Sequence, residues 1–415
     1  MLFFYNIFIK LYSIIASLIS FKNVKAAQWI SGRKNIFAKL EKAFENNTNK
    51  VIWMHCASLG ELEQGRPIIE KLKQQTPNYK ILITFFSPSG YEVQKNYSGA
   101  DWVFYLPIDT KKNAKHFYKI VKPTLSIFVK YEFWYHYITE AKVNNIPLLL
   151  VSGIFRKNQP FFKWYGGLHK KMLECFDFIF LQNQESLDLL KTIHPKNNIE
   201  VCGDTRFDRV IEIATKPKVF ADIEKFIANY KVIVAGSTWT EDDEELDHFA
   251  NTNPHIKFII APHNIESVRL TECLSLYKNS VLYSELNNKT INKNVLIIDN
   301  VGMLSSLYNY ATIAYIGGGF GGDGVHNVLE AAVFGKPVIF GPEYEKFIEA
   351  NELINFNGAI SIDDALELEQ TFDTLLKNED ELKNIGENAA KFVLQNGGAT
   401  NKIIGYIYKN LLLTS

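Results

Sequence analysis

Residues 317–330 read Gly-Gly-Gly-Phe-Gly-Gly-Asp-Gly-Val-His-Asn-Val-Leu-Glu, and residues 335–342 read Gly-Lys-Pro-Val-Ile-Phe-Gly-Pro. Five glycines between Gly317 and Gly322, among them Gly318, Gly319 and Gly322, leave backbone that a ligand can approach closely. The apolar run 311–316 predicts a buried strand, 327–334 a helix, and 338–340 the next strand. A strand, a glycine loop and a helix start together present N–H groups and a positive dipole end, which suits a phosphate. Glu330 lies one turn beyond Asn327, so its carboxylate can accept hydrogen bonds from ribose hydroxyls. The stretch lacks the Gly-Lys-Ser/Thr ending of a Walker loop and stands too late in the chain for a domain-opening dinucleotide loop. A tight strand–helix turn with no ligand is the bland alternative.

Other candidates stand at predicted strand ends. Glu61 follows the strand 51–56 and opens a helix, where the dipole alone would stabilise an acid. Glu132 follows the strand 125–129. Ser237, in Gly236-Ser-Thr238, offers a hydroxyl and N–H groups to a phosphate. Pro262 and His263 close the strand that begins at Phe258. Arg206 follows the last strand of the first half, and its charge could meet a carboxylate or a phosphate. The acid run 241–245 is expected to be a solvated helix start rather than a metal site, and no metal or cofactor is expected.

These groups need elements to hold them. Strands at 51–56, 81–86, 125–129, 147–151 and 178–181 alternate with helices of about a dozen residues, and the second half repeats the pattern from 231. Alternation of this kind predicts parallel sheets with ligands at the carboxyl ends of strands. At 415 residues the chain has room for two domains, and its 45 basic and 45 acidic residues cancel, which argues against nucleic acid as a partner. The four cysteines, Cys56, Cys175, Cys202 and Cys273, are scattered and signal neither zinc nor disulfides.

Residues 1–21 are apolar except for Asn6, Lys10, Ser13, Ser17 and Ser20, a single stripe on a helix. Residues 1–40 hold six basic side chains and no acid. The segment is expected to lie in a membrane interface with its polar stripe wet and the following domain on the cytoplasmic side.

Residues 324–330 (Gly-Val-His-Asn-Val-Leu-Glu) and 337–342 (Pro-Val-Ile-Phe-Gly-Pro) resemble the nucleotide-binding signature of the transferases of 3-deoxy-D-manno-octulosonic acid (Kdo). Further matches run in order through both halves: His55-Cys-Ala-Ser-Leu-Gly-Glu61, Ser87-Pro-Ser-Gly90, Tyr105-Leu-Pro-Ile-Asp109, Lys130-Tyr-Glu-Phe-Trp134, Gly203-Asp-Thr-Arg-Phe-Asp208 and Ala261-Pro-His263. Lys130 departs from a family glutamate, Arg206 from a lysine and His263 from an arginine. The resemblance implies an α/β fold of GT-B type, with two Rossmann-like domains whose parallel sheets face a central cleft. It places an acceptor domain at 22–209 and a donor domain at 210–400, with a carboxyl-terminal helix, 401–415, returning to the first. It implies transfer of Kdo from CMP-Kdo to a lipid A precursor at the cytoplasmic face of an inner membrane. Glu61 would be the base, with Ser58, Gly60 and Glu132 beside the acceptor. Arg206, Ser237, Pro262, His263, Gly318, Gly319, Gly322, Asn327 and Glu330 would hold the donor. A UDP-sugar transferase or epimerase of the same architecture, or a non-enzymatic membrane-bound nucleotide-binding protein, remains open.

Overall fold

The computed structural model describes residues 1–322, 324–410 and 412. Asp323, in the glycine run, and residues 411 and 413–415, at the end of the expected carboxyl-terminal helix, lie outside them. The chain forms two compact units, Met1–Asp208 with Gly398–Ser415, and Arg209–Gly397.

The first unit carries a seven-stranded parallel sheet: β1 (Lys50–Cys56), β2 (Tyr79–Phe85), β3 (Trp102–Tyr105), β4 (Leu125–Val129), β5 (Leu148–Gly153), β6 (Phe178–Leu181) and β7 (Ile199–Val201). Its order is β3-β2-β1-β4-β5-β6-β7. Strands buried on both faces read as unbroken apolar runs, and β1 shows why. Val51 and Trp53 join one core while Ile52, Met54 and Cys56 join the core on the other face. The helix Ala399–Lys409 belongs to this unit, burying Ile403, Ile404 and Ile407 in the second of those cores. Asp208 fastens its start by accepting the N–H groups of Gly398 and Thr400.

The second unit repeats the architecture with β8 (Val232–Thr238), β9 (Lys257–Pro262), β10 (Ser280–Leu282), β11 (Val295–Ile297), β12 (Ile313–Ile316), β13 (Val338–Phe340) and β14 (Ala359–Ser361), ordered β10-β11-β9-β8-β12-β13-β14 and all parallel. The chain lays strands on one side of β1 and of β8 before crossing to β4 and to β12 on the other, and in the second sheet β11 inserts between β9 and β10. Loops leaving the two strands at such a crossing diverge to opposite faces and open a crevice at the carboxyl ends, where ligands bind.

The amino-terminal helix, Leu2–Ile19, is long and apolar enough to cross a membrane, and 6% of that window is buried. Phe3, Phe4, Phe8, Leu11, Ile14, Ile15 and Leu18 are exposed. The polar stripe is not left wet throughout, as its spacing suggested. Asn6 bonds His136 at 2.7 Å, Tyr5 donates to Asp109 at 2.5 Å, and Ile9 is buried, so this side of the helix docks on the first unit. Lys10 and Ser17 stay exposed. A stripe predicts which residues share a face but not what covers it, and here the domain's own polar groups do.

Candidate functional site

The crossing point of the first sheet collects the predicted acids. β2, β1 and β4 are neighbours, so His55 pairs in register with Thr84 on one side and Phe128 on the other. The helix Leu59–Gln75 leaves β1, with Ser58 at its cap and Glu61 in its first turn. Glu61 Oε2 accepts the Ser58 N–H at 2.8 Å and its hydroxyl at 3.2 Å. Sequence left two opposed effects on this carboxyl, the helix start lowering its pKa and burial raising it. Burial prevails. Glu61 is 8% exposed, and desolvation, with the charge of Glu132 added, pushes the carboxyl above the usual range against the bonds from Ser58 and the pull of His55.

Glu132 is 6% exposed and held from two sides. His55 Nε2 meets its Oε2 at 2.8 Å, and the Trp134 indole N–H donates to the same oxygen at 2.6 Å. His55 is fully buried, with Nδ1 2.8 Å from the Thr84 hydroxyl, which accepts the Trp53 indole N–H at 2.8 Å. His55 Nδ1 also lies 3.0 Å from the Thr84 carbonyl, and the Trp134 indole nitrogen 2.9 Å from His55 Nε2, so both ring nitrogens are held. A fixed carboxylate thus stands beside the raised Glu61. His55 and Trp134 were missed as site residues, although both stood inside the quoted motifs, because only the sheet register shows that they converge. Gly60 is exposed, and a methyl group added there would meet nothing within 4 Å. Arg206 is salt-bridged to Asp204 at 2.8 Å. The neighbouring Thr205 hydroxyl donates to the Gln64 carbonyl in the Glu61 helix, which ties that segment to it.

The crossing point of the second sheet collects the predicted donor groups. β8 runs on to Thr238, and Ser237 takes a left-handed conformation (φ 57°) where the β8–β9 register shifts. Such strain in a non-glycine residue is held only by its surroundings and gathers at functional sites. Pro262 ends β9. His263 stacks on both Trp239 and His326, 4.6 Å from each ring centroid, while those two rings lie side by side, nearly coplanar, with centroids 6.4 Å apart. The Trp239 indole N–H donates to His326 Nε2 at 3.1 Å. Trp239 carried no motif signal.

The acid run corrects the expectation at two of its positions, while Glu241 and Glu244 are exposed as expected. Asp242 and Asp243 are fully buried, not solvated. Asp242 accepts the N–H of Trp239 at 2.8 Å, the N–H of Gly318 at 2.8 Å and the Tyr315 hydroxyl at 2.9 Å, so it clamps the glycine loop to the helix Thr240–Thr252. Asp243 is paired with Arg269 and accepts from Tyr277 at 2.9 Å. The signal was present, since a carboxylate at the third helical position is the usual partner of a helix cap. Among the described residues no group of His, Cys, Asp and Glu is arranged to hold a metal ion.

The glycines divide into two kinds. A methyl on Gly319 would stand 2.5 Å from the Gly341 nitrogen, one on Gly317 2.4 Å from the Ser237 carbonyl, and one on Gly318 (φ 93°) 2.4 Å from the Gly324 carbonyl. These three let the chain's own strands and loops close on each other. Gly322 has open space. The expected helix 327–334 is a single turn, Leu329–Ala332, because Asn327 turns its side chain onto the Leu329 N–H at 3.3 Å and onto Glu330 Oε1 at 3.1 Å.

Comparison with known proteins assigns the chain to a family. The family described as 3-Deoxy-D-manno-octulosonic-acid transferase (kdotransferase) matches residues 33–209. A 3-deoxy-D-manno-octulosonic acid transferase from Aquifex aeolicus is 30% identical over 347 residues, covering 81% of this chain and 89% of the relative. The chain belongs to the Kdo transferase family. It is a glycosyltransferase. The Kdo transferase of Rickettsia prowazekii is 27% identical over 91% of this chain and 83% of its own. A bifunctional glycosyltransferase/methyltransferase from Fusobacterium nucleatum is 30% identical over 365 residues, and the chain spans 55% of that longer relative.

Among solved structures, a UDP-GlcNAc 2-epimerase from Neisseria meningitidis superposes with a TM-score of 0.61 at 16% identity, over 87% of this chain and all of that one. A glycosyltransferase from Rickettsia africae gives 0.55 at 16%, over 89% and all. At such identities the likeness is one of fold, the pair of Rossmann-like domains of the GT-B type. Two departures from the Kdo transferase pattern acquire a local context. Lys130 sits in a left-handed turn (φ 64°) with its ammonium over the Tyr131 ring, and His263 stacks on the hydrogen-bonded pair Trp239 and His326.

Proposed function

We propose that the chain transfers Kdo from CMP-Kdo to a lipid A precursor, with inversion and without metal or cofactor. The observation that carries the reading is the buried Glu61 carboxyl, raised in pKa at the carboxyl end of β1 beside the fixed Glu132. A base works best when its pKa approaches the working pH, and burial moves Glu61 in that direction. Glu61 takes the proton from an acceptor hydroxyl as its oxygen attacks the anomeric carbon of Kdo. The bond from that carbon to the phosphate oxygen breaks, and CMP leaves with the electron pair. Ser58, Gly60 and Glu132 line the acceptor side.

The second unit holds the donor. Glu330 and Asn327 meet the ribose, and Ser237, Pro262, His263, Gly318, Gly319 and Gly322 surround the phosphate. Fixed dipoles of this kind stabilise a departing phosphate without a metal. The amino-terminal helix and the basic residues that follow hold the enzyme at the cytoplasmic face of an inner membrane.

Incubation with CMP-Kdo and lipid A precursor, followed by mass analysis, tests the reading. An adduct of one or more Kdo units with release of CMP is expected, and turnover of UDP-sugars alone would refute it. Glu330→Ala is expected to weaken CMP binding by roughly tenfold or more, the value of a lost charge-assisted hydrogen bond. Titration calorimetry measures it, and unchanged affinity would return Glu330 to a structural role as partner of Asn327.

A further inference from the structure

We propose that the apolar space between the helix Leu2–Ile19 and the helix Val24–Arg33 holds an acyl chain of the lipid acceptor. This rests on the acceptor reading above and adds a site to it. The docked side of the amino-terminal helix faces a row of aromatic rings. Tyr12 lies 5.4 Å from Trp29 and 5.7 Å from Phe86, and Phe86 stacks on Trp134 at 4.5 Å. The Arg33 guanidinium lies 4.1 Å from the Trp29 ring centre and bonds the Leu106 and Phe86 carbonyls, so the row is fixed from behind.

Two cavities lie along it. The inner one, about 160 Å³, is bounded by Ile9, Phe86, Ile108 and Trp134. The outer one, about 470 Å³, shares Phe8, Tyr12 and Trp29 with the inner and opens along Leu11 and Ile15 to a rim that includes Asn23, Lys25 and Ser87.

The two ends of this path identify its occupant. The inner end is walled by Trp134, whose indole bonds Glu132 of the candidate site. The outer end lies on the exposed apolar face of the helix, the part suited to a bilayer, and its rim carries a lysine from a segment of six basic residues and no acid. A molecule with a sugar at the carboxylates, a chain along the aromatic row and anionic groups near the lysine matches all three. The acceptor would then reach Glu61 with its remaining chains still in the bilayer. The helix becomes a wall of the acceptor site as well as an attachment to lipid.

The test uses the full chain in detergent and a lipid A precursor with brominated acyl chains, which quench tryptophan on contact. Saturable quenching is expected, reduced in Trp29→Phe and in Ala26→Phe, whose added ring fills the outer cavity. In Ala16→Trp, which fills the same cavity, the ratio of KM for the acylated precursor to KM for the precursor stripped of its chains should rise about tenfold, the cost of a few methylenes left in water. Melting temperature checks the fold, and Ala26→Phe fills the same cavity from the other helix should Ala16→Trp prove unstable. Equal quenching by a brominated phosphatidylglycerol would mean that any membrane lipid enters, and it overturns the assignment. An unchanged KM ratio in both filling variants does the same. Absence of Kdo transfer by the wild-type chain would instead overturn the acceptor reading, a result the quenching experiment does not depend on.

Discussion

Glu61→Gln is expected to lower kcat by about 10²- to 10⁴-fold, the range for a lost general base, while CMP affinity stays unchanged. The structure adds a check that separates chemistry from folding. Glutamine keeps the oxygen that accepts the Ser58 N–H and hydroxyl, so the helix cap survives. A carboxyl whose pKa is raised by folding contributes stability at pH below its unfolded value and loses that contribution as pH rises through the folded one. Once ionised, the buried Glu61 therefore costs stability, and above its folded pKa Glu61→Gln should melt no lower than the wild type. For the wild-type enzyme the acid limb of kcat/KM should fall above the range of an exposed glutamate, about 4.3, because the base is lost on protonation and its pKa is raised. Near-normal turnover in the variant would remove Glu61 from the mechanism. An acid limb at ordinary glutamate values would assign the limiting group elsewhere.

Gly319→Ala should be the most damaging small change in the second unit. Its methyl would lie 2.5, 2.7 and 2.9 Å from backbone atoms of Gly341, which cannot swing aside as a side chain can. The two segments are also bonded there, with the Glu343 N–H on the Gly319 carbonyl at 2.9 Å. Forcing them apart should cost about 3 kcal/mol, the upper part of the usual overpacking range. For a domain of this size that is a fall of roughly 6–12 °C in the melting transition. CMP binding should weaken with it, because the loop after β12 carries the donor groups. Gly322→Ala, with open space at the same atom, should change stability by less than about 0.5 kcal/mol. Thermal unfolding and calorimetry on the pair give the comparison. If both melt alike, the close approach of β12 and β13 loops does not constrain the fold, and if Gly322→Ala alone loses CMP, ligand contact rather than packing explains that glycine.

The sequence by itself determined the strand–helix alternation, the two units and the family motifs. It could do so because buried parallel strands must be apolar runs, and because a sheet's ligand loops must follow its strands. Glu61 and Glu330 were legible as acids near such loops. What the acids experience was not. Whether the helix start or burial governs Glu61, whether Asp242 faces water or clamps Gly318, and whether Asn6 is wet or bonded to His136 all depend on surroundings supplied by distant segments. The His55–Glu132 bond joins residues 77 apart through the adjacency of β1 and β4, and Trp239, His263 and His326 stack because three strand ends meet at one crevice. Local pattern fixes which face of an element a residue occupies. Only the tertiary structure decides what lies against that face, because desolvation and pairing come from atoms remote in the chain.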